Sequence, residues 1–339
     1  MMRARRLVVL PWLLAAIAGC SAPRTPAASL PTVEPAPTAA PAANRPAFDW
    51  SDFDSTSVRN PNDGSLIGGV PLPLRATGLR FNPGRDSAAR YGTVEVVRAL
   101  LEAAARVDRE LGGLPVTIND LSLETGGPIA HHRSHQSGRD VDTLFYQLGP
   151  DGEPIESVGA FFDPSGRGVD FRDLANPDDD IALTLDVART WLFLQALIEN
   201  EHAQLQSILV AEHLRALLLD HARRVDVPTE TIRRFEALAC QPTYPHDDHF
   251  HFRFFCSPDD IAKGCRDSEP VYPWQLQRLA AAATRPRPLA PKRKQASSEI
   301  VTHEEARESA GHMDAEVERW LDRRQEWIEK PHPGRPYCP

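Results

Sequence analysis

The sequence predicts an α+β fold. Some stretches space their apolar residues at the helical period, others alternate every second residue, and glycine pairs stand where a helix must stop or a turn must begin. From Thr93 to Leu111 the apolar residues Val94, Val97, Leu100, Leu101, Ala104 and Val107 mark one face of a helix, which Gly112-Gly113 stops. Val116 to Leu123 alternates loosely and ends near Gly126-Gly127, a strand running into a turn. Asp140 to Leu148 alternates again, and on a strand Asp140 and Asp142 point to the same face. Asp186 to His202 reads as a helix with Val187, Trp191, Leu194, Leu197 and Ile198 on one side, Trp191 being a core residue. Ser207 to Val210 is a short apolar run. Glu212 to Arg224 is a helix whose last turn is basic, as the helix dipole favours. A further helix runs from Pro228 to about Ala239. His249 to Phe254 alternates His, Phe, His, Phe, Arg, Phe, so His249, His251 and Arg253 share one face of a strand while Phe250 and Phe252 enter the core.

The flanks differ from this centre. Met1 to Arg6 is basic, Leu7 to Ile17 is apolar, and Ala18-Gly19-Cys20-Ser21 follows, the pattern of an export signal too short to span a bilayer. A cysteine at that point is the lipidated residue of a bacterial lipoprotein, so residues 1–20 read as a lipoprotein signal peptide with Cys20 as the lipid anchor. The other reading is an ordinary signal cleaved nearby, with Cys20 incidental. Ser21 after the cysteine favours the outer membrane over the inner, which predicts a periplasmic, lipid-anchored protein. Residues 21–48 are mostly Ala, Pro, Thr and Ser and form a tether, unable to bury a core. Residues 49–278 are long enough for one domain. Residues 279–339 read as a charged, partly helical extension, with Gln275 to Thr284 a short helix across its start and Glu299 to Glu329 a helical stretch around Val317, Trp320, Leu321 and Trp327.

Cys240, Cys256, Cys265 and Cys338 remain after Cys20, an even set in an exported chain. Cys256 with Cys265 is the best local pair, and Cys240 with Cys338 would then tie the tail back; reduced thiols are the alternative. The formal charge of −9 argues against a nucleic-acid partner, which would need a basic face. Oligomeric state is not legible.

Histidines cluster in two windows, His131, His132 and His135 in the first and His246, His249 and His251 in the second. Imidazoles with nearby carboxylates and no cysteine are the ligand chemistry of a catalytic zinc that keeps one position open. His135 and His251 with an aspartate would make such a set, and spacing alone leaves Asp140 and Asp142 equivalent. His249, two residues from His251 on the same strand face, is placed to act as a base. His246 and His132 would orient substrate or stabilise an oxyanion. Asp247 and Asp248 are candidates to hold a ligand histidine through its second nitrogen. Arg253 reads either as a clamp for a substrate carboxylate or as a partner of Asp247 or Asp248. Gly138 serves the turn into the following strand. His202, His213 and His221 are read as structural, and His303-Glu304 lacks the second histidine of a helical zinc motif.

The stretch Ser134-His135-Gln136-Ser137-Gly138-Arg139-Asp140-Val141-Asp142, preceded by His132, resembles the first metal motif of the penicillin-insensitive murein endopeptidases. His246-Asp247-Asp248-His249-Phe250-His251-Phe252-Arg253, followed by Cys256, resembles their second, and Asp186 to Trp191 resembles a segment between them. The resemblance runs from about Leu114 to Cys265. It implies the metallopeptidase fold shared with lysostaphin and the D-alanyl-D-alanine peptidases, a small antiparallel sheet with flanking helices. It also implies a zinc ion held by His135, Asp142 and His251, with Asp142 rather than Asp140 as the carboxylate. By the same likeness His249 is the catalytic histidine, His246 and His132 are further active-site histidines, and His132 is a candidate for a second, weaker metal site. The implied substrate is peptidoglycan, cut at the D-alanyl to diaminopimelyl cross-link. A zinc D,D- or L,D-carboxypeptidase and a non-catalytic murein-binding lipoprotein are the alternatives. The lipoprotein tether and the long charged tail depart from the family pattern.

Overall fold

A seven-stranded mixed sheet forms the centre of the computed structural model, which describes residues 50–130, 132–289, 303–328 and 338. In order across the sheet, the strands are Ala239–Cys240, Leu205–Leu209, His249–Phe254, Asp140–Leu144, Val116–Ile118, Leu79–Phe81 and Arg75–Ala76. The pairs around the His249–Phe254 and Asp140–Leu144 strands are antiparallel, as expected. Two outer pairs, Leu205–Leu209 with Ala239–Cys240 and Leu79–Phe81 with Val116–Ile118, are parallel, so the sheet is larger and less uniform than a small antiparallel one.

The helices are α1 (Val94–Leu111), α2 (Val187–Ile198), α3 (Glu212–Arg224), α4 (Thr229–Leu238), α5 (Pro258–Ala262), α6 (Pro273–Ala281), α7 (His303–Ala310) and α8 (Ala315–Ile328). In α1 Val97, Leu100, Ala104 and Val107 are buried as expected, while Val94 and Leu101 are half-buried and Val96, Ala99 and Ala103 complete the buried stripe. Gly112, at φ +63°, ends the helix by donating its N–H to the carbonyls of Val107 and Asp108. Asp186 lies outside α2 and caps it, its carboxylate accepting from Arg189 N–H at 3.1 Å. Trp191 is buried edge-to-face against Phe235 of α4.

The parity read for the His249–Phe254 strand is observed. Phe250 and Phe252 are buried in the core, Phe252 against Phe193 of α2 and Phe250 edge-on to Phe145. The helix side of the sheet is therefore apolar, and the opposite side carries the histidines. The helical stretch at 299–329 divides into α7 and α8 on either side of Gly311, whose φ is +80°. The stretch read as one strand from Asp140 to Leu148 divides into Asp140–Leu144 and Gln147–Leu148, and the second part joins Pro154–Ile155, Arg167–Asp170 and Ile181–Leu185 in a four-stranded sheet; Thr56–Asn60 pairs with Asp63–Ile67 as a hairpin.

Both expected disulfides are present, Cys256–Cys265 and Cys240–Cys338. Among the described residues no helix is long and apolar enough to cross a membrane. The signal peptide, Cys20, the tether and His131 lie outside the described residues.

Candidate metal centre

Strand register builds the floor of the site. His251 faces Asp142 across the antiparallel pair, and Arg253 faces Asp140. Cross-strand neighbours on one face lie about 5 Å apart at Cβ, so the ladder alone brings an imidazole and a carboxylate into contact. The His251 ring sits between the two aspartates, Nδ1 3.0 Å from Asp142 Oδ1 and Nε2 3.2 Å from Asp140 Oδ2.

The aspartates are not equivalent. Asp140 accepts a two-pronged bond from Arg253, Nε to Oδ1 at 2.9 Å and Nη2 to Oδ2 at 2.7 Å, which commits both of its oxygens. Asp142 Oδ1 is buried and makes no hydrogen bond. Arg253 is thus neither a free substrate clamp nor a partner of Asp247 or Asp248. Burial would raise both carboxyl pKa values, yet Arg253 beside Asp140, and the imidazoles of His135 and His249 beside Asp142, hold them well below the usual carboxylate range.

His135 arrives from the loop before the Asp140–Leu144 strand. It is fully buried, with φ +68°, and its Nδ1–H donates to the Leu121 carbonyl at 2.7 Å. A carbonyl can only accept, so Nδ1 carries the proton whenever the ring is neutral, and Nε2 is the atom that faces Asp142 Oδ1 at 3.4 Å. Gly138, at φ +73°, makes the turn into the strand; a Cβ there would lie 2.8 Å from Leu66 side-chain atoms. Arg139, buried in the same motif, is an anchor the sequence reading did not single out. It donates to Ser57 Oγ and Asp267 Oδ1, and Asp267 also accepts from Cys256 N–H, so the first histidine window is tied to the disulfide-closed loop.

His249 and His246 come from the second window. His249 Nδ1 is 2.7 Å from Asp248 Oδ1, and its Nε2 is 3.8 Å from Asp142 Oδ1. Burial opposes its charge, but Asp248 and Asp142 prevail and raise its pKa to about 9. His251 is likewise raised to about 9, against burial, chiefly by Asp140. His246 is the opposite case: burial and the neighbouring His249 and His251 push it down to about 4, and its Nδ1–H donates to the Tyr244 carbonyl at 2.7 Å. Its ring lies 4.8 Å from that of His249. His132 bridges to a residue missed in the sequence, with Nε2 3.2 Å from Asp120 Oδ2 and Nδ1 3.6 Å from Asp142 Oδ2. Asp120 is buried two residues past the end of the Val116–Ile118 strand, inside a stretch read as strand to Leu123, and nothing in its spacing tied it to the histidines.

Asp248 pairs with His249, the histidine read as a base, and not with either of the histidines read as ligands. Asp247 does not; its carboxylate is taken by Arg324 of α8.

Two overlapping groups have ligand atoms within 4.8 Å of one another: His132, His135 and Asp142, and His135, Asp140 and His251. His135 Nε2, Asp142 Oδ1 and His251 Nε2 are all buried without a hydrogen-bond partner. Neither group joins Asp142 with His251, whose Nε2 faces Asp140 while its Nδ1 faces Asp142. Buried polar atoms are rarely left unpaired, and orphaned imidazole nitrogens beside buried carboxylates fit a divalent cation.

Comparison with known families agrees with the resemblance read from the motifs. Residues 57–158 match the family model of the penicillin-insensitive murein endopeptidases. The matched residues include His132, His135 and Asp142, while the second window lies beyond them. A comparison with curated proteins finds no match.

Proposed function

We propose that this protein is a zinc-dependent murein endopeptidase that hydrolyses D-alanyl to diaminopimelyl cross-links of peptidoglycan. The observation that carries the reading is the pair of orphaned buried atoms His135 Nε2 and Asp142 Oδ1, 3.4 Å apart, with His251 Nδ1 3.0 Å from the same oxygen. His135, Asp142 and His251 are the proposed ligands. Asp142 is preferred to Asp140 because the Asp140 oxygens are already committed to Arg253. When bound, zinc supplies a Lewis acid for the scissile carbonyl and acidifies a water molecule.

The chain's own groups do the rest. His249, held by Asp248 at Nδ1, presents Nε2 as the base that takes a proton from water and returns it to the leaving amine. Asp248 stabilises the imidazolium formed in between. Against burial, Asp248 and Asp142 raise the pKa of His249, so a cation on Asp142 would lower it again and favour the free base.

His246 takes a narrower role than the sequence suggested. Its Nδ1–H is committed to Tyr244 and its pKa is low, so Nε2 is an acceptor. An acceptor orients a substrate N–H and does not stabilise an oxyanion. His132, between Asp120 and Asp142, supports the Asp142 side. The proposal places the enzyme in the periplasm, lipid-anchored through Cys20 to the outer membrane, with residues 21–48 as tether, 49–278 as peptidase domain and 279–339 as extension.

The test is incubation of purified, zinc-loaded protein with cross-linked muropeptide dimers, followed by mass analysis. Conversion of dimers to monomers that stops on chelation supports the proposal. Release of terminal D-alanine from intact dimers points instead to a carboxypeptidase, and zinc binding without turnover to a murein-binding protein. Absence of label from a palmitate analogue on the wild-type protein would refute the anchor.

A further inference from the structure

We propose that the C-terminal segment braces the loop that carries His246, with Arg324 as a positioning residue for His246 and His249. The inference rests on the roles proposed above for those histidines. Regular pairing stops at Cys240 and resumes at His249, so residues 241–248 lack a ladder of their own. Within them His246 has φ +55°, a conformation a non-glycine residue keeps only when its surroundings hold it.

C-terminal residues grip this loop at both ends. At its start Cys240 is bonded to Cys338, the Gln241 carbonyl accepts from Cys338 N–H at 2.9 Å, and Gln241 Nε2 donates to the Ile328 carbonyl at 2.8 Å. At its end Arg324 donates from Nε and Nη2 to the two oxygens of Asp247, each at 2.7 Å. Asp247 is fully buried and Arg324 is 8% exposed, so the pair is cut off from water. The guanidinium also lies 3.8 Å from the centre of the Phe161 ring. Backbone bonds complete the seat: the His246 carbonyl accepts from Ala211 N–H and the Asp247 carbonyl from Phe162 N–H, both at 3.0 Å.

Position makes this a matter of catalysis as well as stability. Asp247 lies between His246 and Asp248, and Asp248 holds His249. Where the Asp247 carboxylate is fixed, the peptides on either side are fixed, and with them both imidazoles. A guanidinium fork sets the plane of a carboxylate, whereas an ammonium supplies charge alone. Arg324 occupies the buried stripe of α8, in step with Val317, Trp320 and Ile328, where an apolar residue would otherwise pack.

The experiment compares full-length wild type with R324M, R324K, C338S and the double variant R324M/D247N. Hydrogen exchange is measured at residues 241–248, together with bound zinc and kcat and KM on muropeptide dimers. R324M should speed exchange at 241–248 by about tenfold or more and leave 140–144 and zinc content unchanged. Its kcat should fall about 10- to 100-fold, with KM within about twofold. R324K should recover part of kcat, and C338S should loosen the loop less than R324M. The double variant removes the orphaned carboxylate, so it should fold even if R324M does not, and still show the low kcat. Unchanged exchange at 241–248, or a loosened loop with unchanged kcat, overturns the brace. Wild type without turnover refutes the endopeptidase reading instead, and exchange then decides the brace alone.

Discussion

The two sides of the candidate site are built by different means. The floor, His251 and Asp142, is set by backbone hydrogen bonds between two adjacent central strands, with Phe250 and Phe252 packed beneath. The wall is different: His246 and Asp248 sit on a loop without a ladder, held by a disulfide, a buried ion pair and side-chain bonds from residues far along the chain, and Asp248 in turn holds His249 at the end of the paired strand. A ladder places side chains through local pattern, so its chemistry is legible in six residues. A braced loop depends on contacts between segments that no local pattern links.

The proposed roles make the two sides separable by experiment. The largest effect is expected on the floor. His251→Ala should abolish both metal binding and turnover, read by metal content after dialysis and by muropeptide cleavage; retained zinc would remove His251 from the ligand set. On the wall, His249→Ala should keep full zinc and lose rate by a factor of about 100 to 10,000. Full activity in that variant would return the base assignment to another group.

The floor's aspartates divide stability from chemistry. Asp140→Asn strands the Arg253 guanidinium and should cost about 3–5 kcal/mol of stability in denaturant unfolding, while zinc still binds. Asp142→Asn should show the reverse, a smaller loss of stability and no zinc. If the two variants exchange phenotypes, the carboxylate ligand is Asp140.

The smallest effect lies away from both sides. Asp260, in α5 within the loop closed by Cys256–Cys265, has its pKa raised to about 7 by burial and by Glu95. Its unfolded value is near 3.8, so between about pH 4 and pH 7 the folded protein holds a proton that the unfolded chain releases. Stability from this group is present at pH 4 and lost as pH rises through 7. Asp260→Asn should therefore raise the melting temperature at pH 8 more than at pH 5, by the equivalent of about 1–3 kcal/mol. An equal change at both pH values would place the carboxyl in ordinary titration.

Fold and site were legible to different degrees. The spans of α1 and α3 and the His249–Phe254 strand follow from apolar spacing, because each buries one face against a continuous core. Of the sheet formed by 147–148, 154–155, 167–170 and 181–185 only 147–148 was read as strand, as the end of a longer one, since the other strands are short and partly exposed. The parallel outer pairs of the main sheet were hidden for a related reason: short strands do not announce their direction.

By itself the sequence determined which residue types meet. The two histidine windows, the parity that puts His249 and His251 on one face, and the equivalence of Asp140 and Asp142 by spacing are all consequences of a period-two strand. Tertiary structure decided how the aspartates divide, because Arg253 sits opposite Asp140 in the register and commits it. It decided the tautomer of His135, through a carbonyl at Leu121, and the neutral state of His246, through burial beside two other imidazoles. It also turned Asp247 away from the histidines and toward Arg324, 77 residues later in the chain. Each of these choices depends on which partner reaches a buried polar group, and only the folded chain brings those partners within hydrogen-bond distance.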